Sequence, residues 1–282
     1  MSGYNGSTAG TVTVTFSPPE NRETKSIKIP LKPDISTLDV VDLSLHQSPT
    51  KAYNMNEPYN SWFSSCFGYS VMLVYLGPHL RSVLGNLSPS SVNNRNMNKT
   101  WFSSITTNIP GLPNSNIADE GITFADVAPY MVVTEESVND VSGRLPAGMN
   151  MDVTKFRPNI VLSGSAAAYD EDFWGGLNIT CNSDCTQQTK DQIQMVLTQN
   201  CARCVSINID YSTGAQGTDE SGTVFKKMMK DRRVDPGTKY SPIFGRYGFL
   251  ETKESAGNTI AVGDEVMVCR RNEERTEFGK LT

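Results

Sequence analysis

Short β-prone segments separated by turn residues recur along this chain and restrict it to a mainly β fold. Residues 11–16 (TVTVTF) and 26–31 (SIKIPL) alternate polar and apolar or β-branched residues on either side of Pro18, Pro19 and Glu20, which predicts a β-hairpin. Further strands are predicted at residues 38–45, 71–75, 130–133, 156–162, 194–197, 204–209, 247–251 and 265–269.

Few segments predict helices. Residues 57–68 indicate a short helix, and the side chains expected to face inward from it are Trp62, Phe63 and Cys66. Thr134 is a favourable N-cap and is followed by two acidic residues, so a second helix is predicted over residues 135–145. A third is predicted over residues 224–232. Many strands with few helices indicate a closed or nearly closed β-barrel with helices packed outside.

A polar stretch divides these elements into two groups. Residues 84–120 are rich in Asn, Ser, Gly and Pro, a composition typical of a long loop or linker. We therefore expect one β domain over residues 1–83 and a second domain over residues 121–282.

Charge and hydropathy argue against several classes of protein. The formal net charge is -5 and Lys and Arg form no stripe, which argues against a nucleic-acid partner. No run of about 18 apolar residues is present, so no membrane span is expected. The first ten residues have neither a secretory nor a transit pattern, so the expected location is cytoplasmic.

Four of the six cysteines lie within 24 residues, and we expect the chemistry there. They are Cys181, Cys185, Cys201 and Cys204. In a reducing compartment they are expected to be thiols or metal ligands, and their spacing nearly matches a four-thiolate zinc site. The alternative is that residues 181–191 form an insertion whose thiols are inert.

The pair Cys201-Ala-Arg-Cys204 is the more informative half of this cluster. It lies at the start of the predicted strand 204–209, which would fix one thiol in the sheet and leave the other on a loop. Arg203 would favour a thiolate by lowering the pKa of its neighbour, and soft or high-valent metals bind thiolates.

Further motifs surround this pair in a fixed order. They are FRPN at 156–159, E-D-x-W at 171–174, C-x-R-C at 201–204, SP-x-FG-x-Y at 241–247 and VGD-x-V at 262–266. From about Phe124 to Val268 the chain resembles the MOSC domain of mitochondrial amidoxime-reducing components and their relatives. The resemblance implies a MOSC β-barrel with peripheral helices, preceded by a partial N-terminal MOSC-type β domain.

The same resemblance implies a molybdenum site. Cys204, rather than Cys201, would be the protein ligand to molybdenum and the catalytic residue. The residues expected to bind the molybdenum cofactor, a molybdopterin, are Arg157, Asn159, Ala202, Arg203 and Tyr247. A planar guanidinium suits a phosphate because it offers paired donors.

The activity implied is that of a molybdenum oxidoreductase that reduces N-hydroxylated or N-oxide substrates by oxygen transfer to molybdenum. In the family, electrons come from a cytochrome b5-type haem protein and its NADH-dependent reductase. The family also implies mitochondrial association, although the sequence contains no targeting segment.

Two departures leave other functions open. Val127-Ala128 replaces a hydroxyl-bearing pair of the family, and the family's first phosphate-binding strands have no counterpart, which predicts a truncated or divergent member or an incomplete gene model. One alternative is a carrier module like the C-terminal domain of molybdenum cofactor sulfurases, whose own activity needs a pyridoxal-phosphate domain that does not fit in this chain. Another is a non-catalytic scaffold. The longer SPIFGRY form and FRPN favour the reductase.

Overall fold

The protein is described by a computed structural model covering residues 10–18, 23–84, 87–89, 121–180, 192–251 and 259–279. The chain separates into two compact units, Met1–Ser82 and Val83–Thr282. Most of the predicted linker lies outside the described residues, as does the 181–191 segment. Among the helices of the described residues, none is long and apolar enough to cross a membrane.

The N-terminal unit is built mainly from strands. Its elements are β1 (Thr11–Phe16), β2 (Lys25–Pro30), β3 (Val40–Leu45), β4 (Ser48–Asn54), α1 (Tyr59–Phe67), β5 (Val74–Tyr75) and β6 (Arg81–Ser82). β1 and β2 form the predicted antiparallel hairpin, and β3, β4 and β5 form a three-stranded sheet. The turn between β3 and β4 is made by His46 and Gln47, which both have positive φ as a tight hairpin turn requires.

Two predictions for this unit need correction. The buried strand expected at 71–75 is only the two-residue β5, and it is half-buried. The predicted helix is present as α1 and ends at Gly68 in the left-handed conformation, but none of its residues is fully buried. Trp62, Phe63 and Cys66 are only half-buried because α1 lies at the surface of the unit.

The C-terminal unit contains a larger sheet. Its elements are β7 (Gly121–Ile122), β8 (Tyr130–Thr134), α2 (Glu135–Gly143), β9 (Ile160–Leu162), β10 (Trp174–Thr180), β11 (Gln192–Ala202), β12 (Ile209–Asp210), β13 (Ala215–Gln216), α3 (Val224–Met228), β14 (Ile243–Leu250) and β15 (Glu265–Arg271). Six strands form one curled sheet in the order β15-β10-β11-β14-β8-β9. Neighbouring strands are antiparallel except β8 and β9. The predicted mainly β class with few helices is confirmed.

This sheet is buried on both faces at its centre. Along β8, Met131 and Val133 pack in one hydrophobic cluster with Phe156 and Phe244, whereas Val132 packs in a second cluster with residues of β10 and β11. This division follows from the alternation of side chains along a strand. α2 begins at the predicted cap, where the side chain of Thr134 accepts a hydrogen bond from the backbone of Ser137.

The strand predicted at 204–209 is wrong. β11 ends at Ala202, and residues 205–208 form a 3-10 turn that leads into the short β12. The apolar residues two apart do not share a face, because Val205 is exposed and Ile207 is buried. The side chain of Asn208 accepts a hydrogen bond from the backbone of Phe225, which ties this segment to α3.

Other boundaries also differ from the predictions. Only the end of the strand expected at 156–162 is a strand, β9. Phe156 ends the 3-10 turn Val153–Phe156, and Arg157 has a left-handed backbone that separates this turn from β9. The third helix ends at Met228 and continues only as turns as far as Arg232. β11 is longer than the predicted segment 194–197, and β10 was not predicted at all.

Candidate functional site

A cavity of about 270 Å³ lies in the C-terminal unit beside the end of β11. It brings together all of the residues that the sequence marked as candidates, although they are far apart in the chain. They are Arg157, Asn159, Ala202, Arg203, Cys204 and Tyr247. Three separate segments therefore converge: the turn before β9, the end of β11, and β14.

The two cysteines occupy opposite environments at this edge of the sheet. Cys201 lies within β11 and is buried, whereas Cys204 follows the strand and is exposed. The backbone of Arg203 between them donates a hydrogen bond to the carbonyl of Pro242, which keeps the segment beside β14 until the chain turns. Both thiols line the cavity, but only Cys204 is open to an incoming ligand.

The surroundings of Cys204 favour its thiolate. Partial burial opposes ionisation, but hydrogen bonds from the side chain and backbone of Ser206 and the charge of Arg203 outweigh it, so the pKa of Cys204 is lowered. The Ser206 hydroxyl oxygen lies 2.9 Å from the Cys204 sulfur. An accessible thiolate of this kind is able to act as a metal ligand or nucleophile.

Arg203 contacts the other cysteine directly. Its Nη1 donates to the sulfur of Cys201 at 2.8 Å and lies 3.1 Å from the sulfur of Met131, and its Nη2 donates to the carbonyl of Phe156. Arg203 is buried, so these bonds fix a cation in the cavity wall. Its influence on Cys204 is through charge rather than through a hydrogen bond.

Tyr247 lines the opposite side of the same thiol. Its hydroxyl oxygen lies 3.1 Å from the Cys201 sulfur. Burial, together with the neighbouring Cys201, raises the pKa of Tyr247, so its hydroxyl stays protonated. Tyr247 is held there by β14, where it faces Met131 of β8. Gly245 of the same strand has φ +77, and an added Cβ would lie 2.9 Å from the carbonyl oxygen of Val132.

Arg157 lies at the open side of the cavity in an unusual conformation. Its backbone is left-handed at φ 55 and ψ 44, although it is neither Gly nor Asn and precedes a proline. Its side chain is 74% exposed and lies 3.4 Å from a carboxylate oxygen of Asp126. Backbone strain of this kind concentrates at functional sites, so it supports a ligand role for Arg157.

Asn159 lines the cavity and also forms hydrogen bonds with the backbone of β8. Its side-chain oxygen accepts a hydrogen bond from the backbone of Met131 at 2.8 Å, and its own backbone donates to the Met131 carbonyl at 2.9 Å. These two bonds join the segment after Arg157 to β8. Asn159 thus holds the FRPN turn against the sheet.

Sequence reasoning missed three polar residues of the cavity. Lys155, Asp126 and Ser206 all line it. Lys155 directly precedes the FRPN motif and Ser206 lies two residues after Cys204, and this proximity was the available signal. With Arg157 and Arg203, the lining carries three cations and a single carboxylate in a chain whose net charge is -5.

The E-D-x-W stretch lies behind the sheet, away from the cavity lining, and contributes Asp172 to an ion network. The carboxylate of Asp172 accepts hydrogen bonds from Arg232 at 2.8 and 3.0 Å and from Arg275 at 2.8 Å. Arg246, fully buried, donates to the Asp172 carbonyl at 2.7 Å and to the side chain of Asn200 at 2.6 Å. We call Asp172, Arg232, Arg246 and Arg275 the buried ion network.

The zinc interpretation stays a prediction. Two of its four cysteines, Cys181 and Cys185, lie outside the described residues. In the part of the chain that the structure describes, no group of three or more His, Cys, Asp and Glu residues could hold a metal ion.

Comparison with known families identifies the fold family. The MOSC domain model matches residues 119–267, more than half of the chain, and the chain therefore belongs to the MOSC domain family. The match includes every one of the candidate site residues.

Curated proteins of two kinds are similar to this chain. The chain is similar to mitochondrial amidoxime-reducing component 1 of Homo sapiens, at 32% identity over 51% of this chain and 38% of the relative. It is similar to the Mus musculus protein of the same name at 27% identity over 86% of this chain and 59% of the relative. It also resembles the molybdenum cofactor sulfurase of Arabidopsis thaliana, at 27% identity over 73% of this chain and 22% of the relative.

The chain spans less than two thirds of the length of these relatives. Family membership and the two kinds of relative together support a molybdenum-related function.

Proposed function

We propose that this chain binds a molybdenum cofactor in the cavity and reduces N-hydroxylated or N-oxide compounds. The observation that carries the proposal is the exposed Cys204 thiol, with its lowered pKa, beside a group of cations in one cavity. A cofactor with a metal and a phosphate needs both a soft anionic ligand and positive charge.

The residues present fit such a cofactor. Cys204 supplies a thiolate that is open to the cavity, and Arg157 supplies an exposed guanidinium for the pterin or its phosphate. Val127 and Ala128 line the same cavity with apolar side chains, so they add no hydroxyl donors. At this part of the cavity wall, binding of the phosphate therefore depends on the cations rather than on hydroxyl groups of residues 127 and 128.

When bound, the cofactor supplies two-electron chemistry with oxygen-atom transfer. The protein's own residues hold the site in one arrangement. Arg203 and the protonated hydroxyl of Tyr247 both contact the sulfur of Cys201, and hydrogen bonding to Ser206 lowers the pKa of Cys204. Asn159 anchors the turn that presents Arg157.

The remaining roles follow the family. We propose that electrons arrive from a cytochrome b5-type haem protein and its NADH-dependent reductase. We also propose that the chain is associated with mitochondria, as the names of its amidoxime-reducing relatives indicate.

Metal analysis with turnover tests the function. The chain is purified from a host that makes the molybdenum cofactor, and molybdenum is measured per chain by mass spectrometry. We expect about one molybdenum per chain and reduction of benzamidoxime by a chemical or protein electron donor. A chain without molybdenum, prepared from a host that makes the cofactor, contradicts the proposal.

A carrier function is the second candidate. It is favoured by the match to a molybdenum cofactor sulfurase, which extends over 73% of this chain. A carrier would hold molybdenum without reducing benzamidoxime, and it would pass the cofactor to an acceptor enzyme that lacks it. The same preparation therefore separates the two functions.

A further inference from the structure

The three cations among the described residues of the cavity wall differ in the partners that their side chains contact. Arg203 is buried and donates hydrogen bonds to Cys201 and to the carbonyl of Phe156. Arg157 lies 3.4 Å from the Asp126 carboxylate. The side chain of Lys155 lines the cavity but makes no hydrogen bond or ion pair with any residue that the structure describes.

Lys155 is nevertheless fixed in place. It lies in the 3-10 turn Val153–Phe156, whose N-cap Asp152 accepts a hydrogen bond from the backbone of Thr154, and the following Phe156 is fully buried. The lysine itself is half-buried. A half-buried ammonium is screened less by water than one at the surface, so it attracts an anion more strongly.

Two aspartates, Asp210 and Asp219, interact with the charge of Lys155, but neither forms an ion pair with it among the described residues. The pKa values of Asp210 and Asp219 are lowered mainly by hydrogen bonds from Ser212 and Ser221, and the charge of Lys155 has a smaller effect on both. Asp219 is exposed and Asp210 is half-buried, and neither of them lines the cavity. The cavity thus keeps a positive charge that its own residues do not compensate.

We propose that Lys155 binds an anionic oxygen group, a carboxylate or a phosphate, of the ligand that occupies this cavity. The identity of that ligand rests on the proposed function, because the group belongs either to the substrate or to the cofactor. A lysine ammonium suits either one, since it is a compact charge with three donors and no fixed plane. If the group belongs to the substrate, the preferred substrates are N-hydroxylated acids.

The first experiment uses the cofactor-free chain, with inorganic phosphate as the probe. We expect Lys155→Met to weaken phosphate binding about tenfold, measured by titration calorimetry, and Lys155→Arg to keep it close to the native level. Lys226→Met is the matched control, because Lys226 is exposed on α3 and does not line the cavity. Equal binding by the Lys155→Met and Lys226→Met variants overturns the proposal.

The second experiment assigns the anion to its source in the cofactor-loaded chain. For the substrate, the measured quantity is the ratio of kcat/KM for 4-carboxybenzamidoxime to that for neutral benzamidoxime. For the cofactor, it is the content of molybdenum and pterin per chain. A lower ratio in Lys155→Met with an unchanged content assigns the lysine to a substrate carboxylate.

The converse result, a reduced content with an unchanged ratio, assigns Lys155 to the cofactor phosphate. A variant that lowers neither quantity overturns the proposal. Failure of the proposed function is recognised separately, because it leaves the native chain without molybdenum or turnover while the phosphate measurement on the cofactor-free chain is unaffected.

Discussion

The buried ion network and the cavity use the same kinds of side chain for opposite purposes. Behind the sheet, Arg232 and Arg275 share the carboxylate of Asp172, and Arg246 donates to main-chain and side-chain oxygens. Beside β11, the cations face a single carboxylate and two thiols. Removing one partner of a buried ion pair leaves an uncompensated charge that destabilises the fold, whereas exposed or unpaired cations that line a cavity are available to a ligand.

The comparison predicts that a substitution in the buried ion network lowers the stability of the fold. Asp172→Asn removes a charge that two buried or half-buried arginines share, so we expect the free energy of unfolding to fall by about 3–5 kcal/mol. Denaturant unfolding measures the change. The control is Asp231→Asn, because Asp231 is an exposed partner of Arg144 and its loss is expected to cost about 0–1 kcal/mol. Equal losses in the two variants would contradict the distinction.

Substitution of a cation that lines the cavity is expected to reduce cofactor binding and to leave the stability of the fold almost unchanged. Arg157→Ala removes an exposed ion pair, so the free energy of unfolding is expected to change by less than about 1 kcal/mol. Its molybdenum content is expected to fall severalfold, because a charge-assisted phosphate contact is lost. Arg233→Ala, at an exposed position that does not line the cavity, is the matched control. An Arg157→Ala chain with full molybdenum content would place Arg157 outside the binding site.

The smallest expected effect is a change in the pKa of the Cys204 thiol. Because its pKa is lowered, Cys204 should be alkylated by iodoacetamide with a midpoint at lower pH than that of an unperturbed cysteine, and the rate falls as pH drops through the pKa. Ser206→Ala is expected to move this midpoint upward, because the hydroxyl hydrogen bond to the thiolate is lost. Peptide mass spectrometry of the cofactor-free chain follows the reaction, and Ser212→Ala serves as the control. A midpoint that is the same in both variants would exclude Ser206 as the cause.

The fold could be predicted where local signals agree with tertiary structure. The hairpin of β1 and β2 follows from strict alternation, and α2 begins where Thr134 provides a cap. β10 was missed because Gly175 and Gly176 weaken its β-propensity. A Cβ at Gly176 would lie 3.2 Å from the sulfur of Cys269 on β15, so this glycine reflects a close approach between strands that the sequence does not reveal.

The candidate site, like the fold, could be predicted only in part from the sequence. The motifs marked six of the residues that line the cavity, because each motif keeps its residues at fixed spacing. They did not reveal that Arg203 bonds to Cys201 rather than to Cys204, which depends on the end of β11 at Ala202. Nor did they identify Lys155, whose significance comes from its place in the cavity wall and not from any pattern in the sequence.

The central claim is that the exposed thiolate of Cys204 holds the metal. The direct measurement is molybdenum per chain in the Cys204→Ser variant from a cofactor-competent host, with Cys269→Ser as the control because Cys269 is also exposed but does not line the cavity. We expect molybdenum and benzamidoxime reduction to be lost in Cys204→Ser and retained in Cys269→Ser. A Cys204→Ser chain that keeps both at the native level would contradict the account.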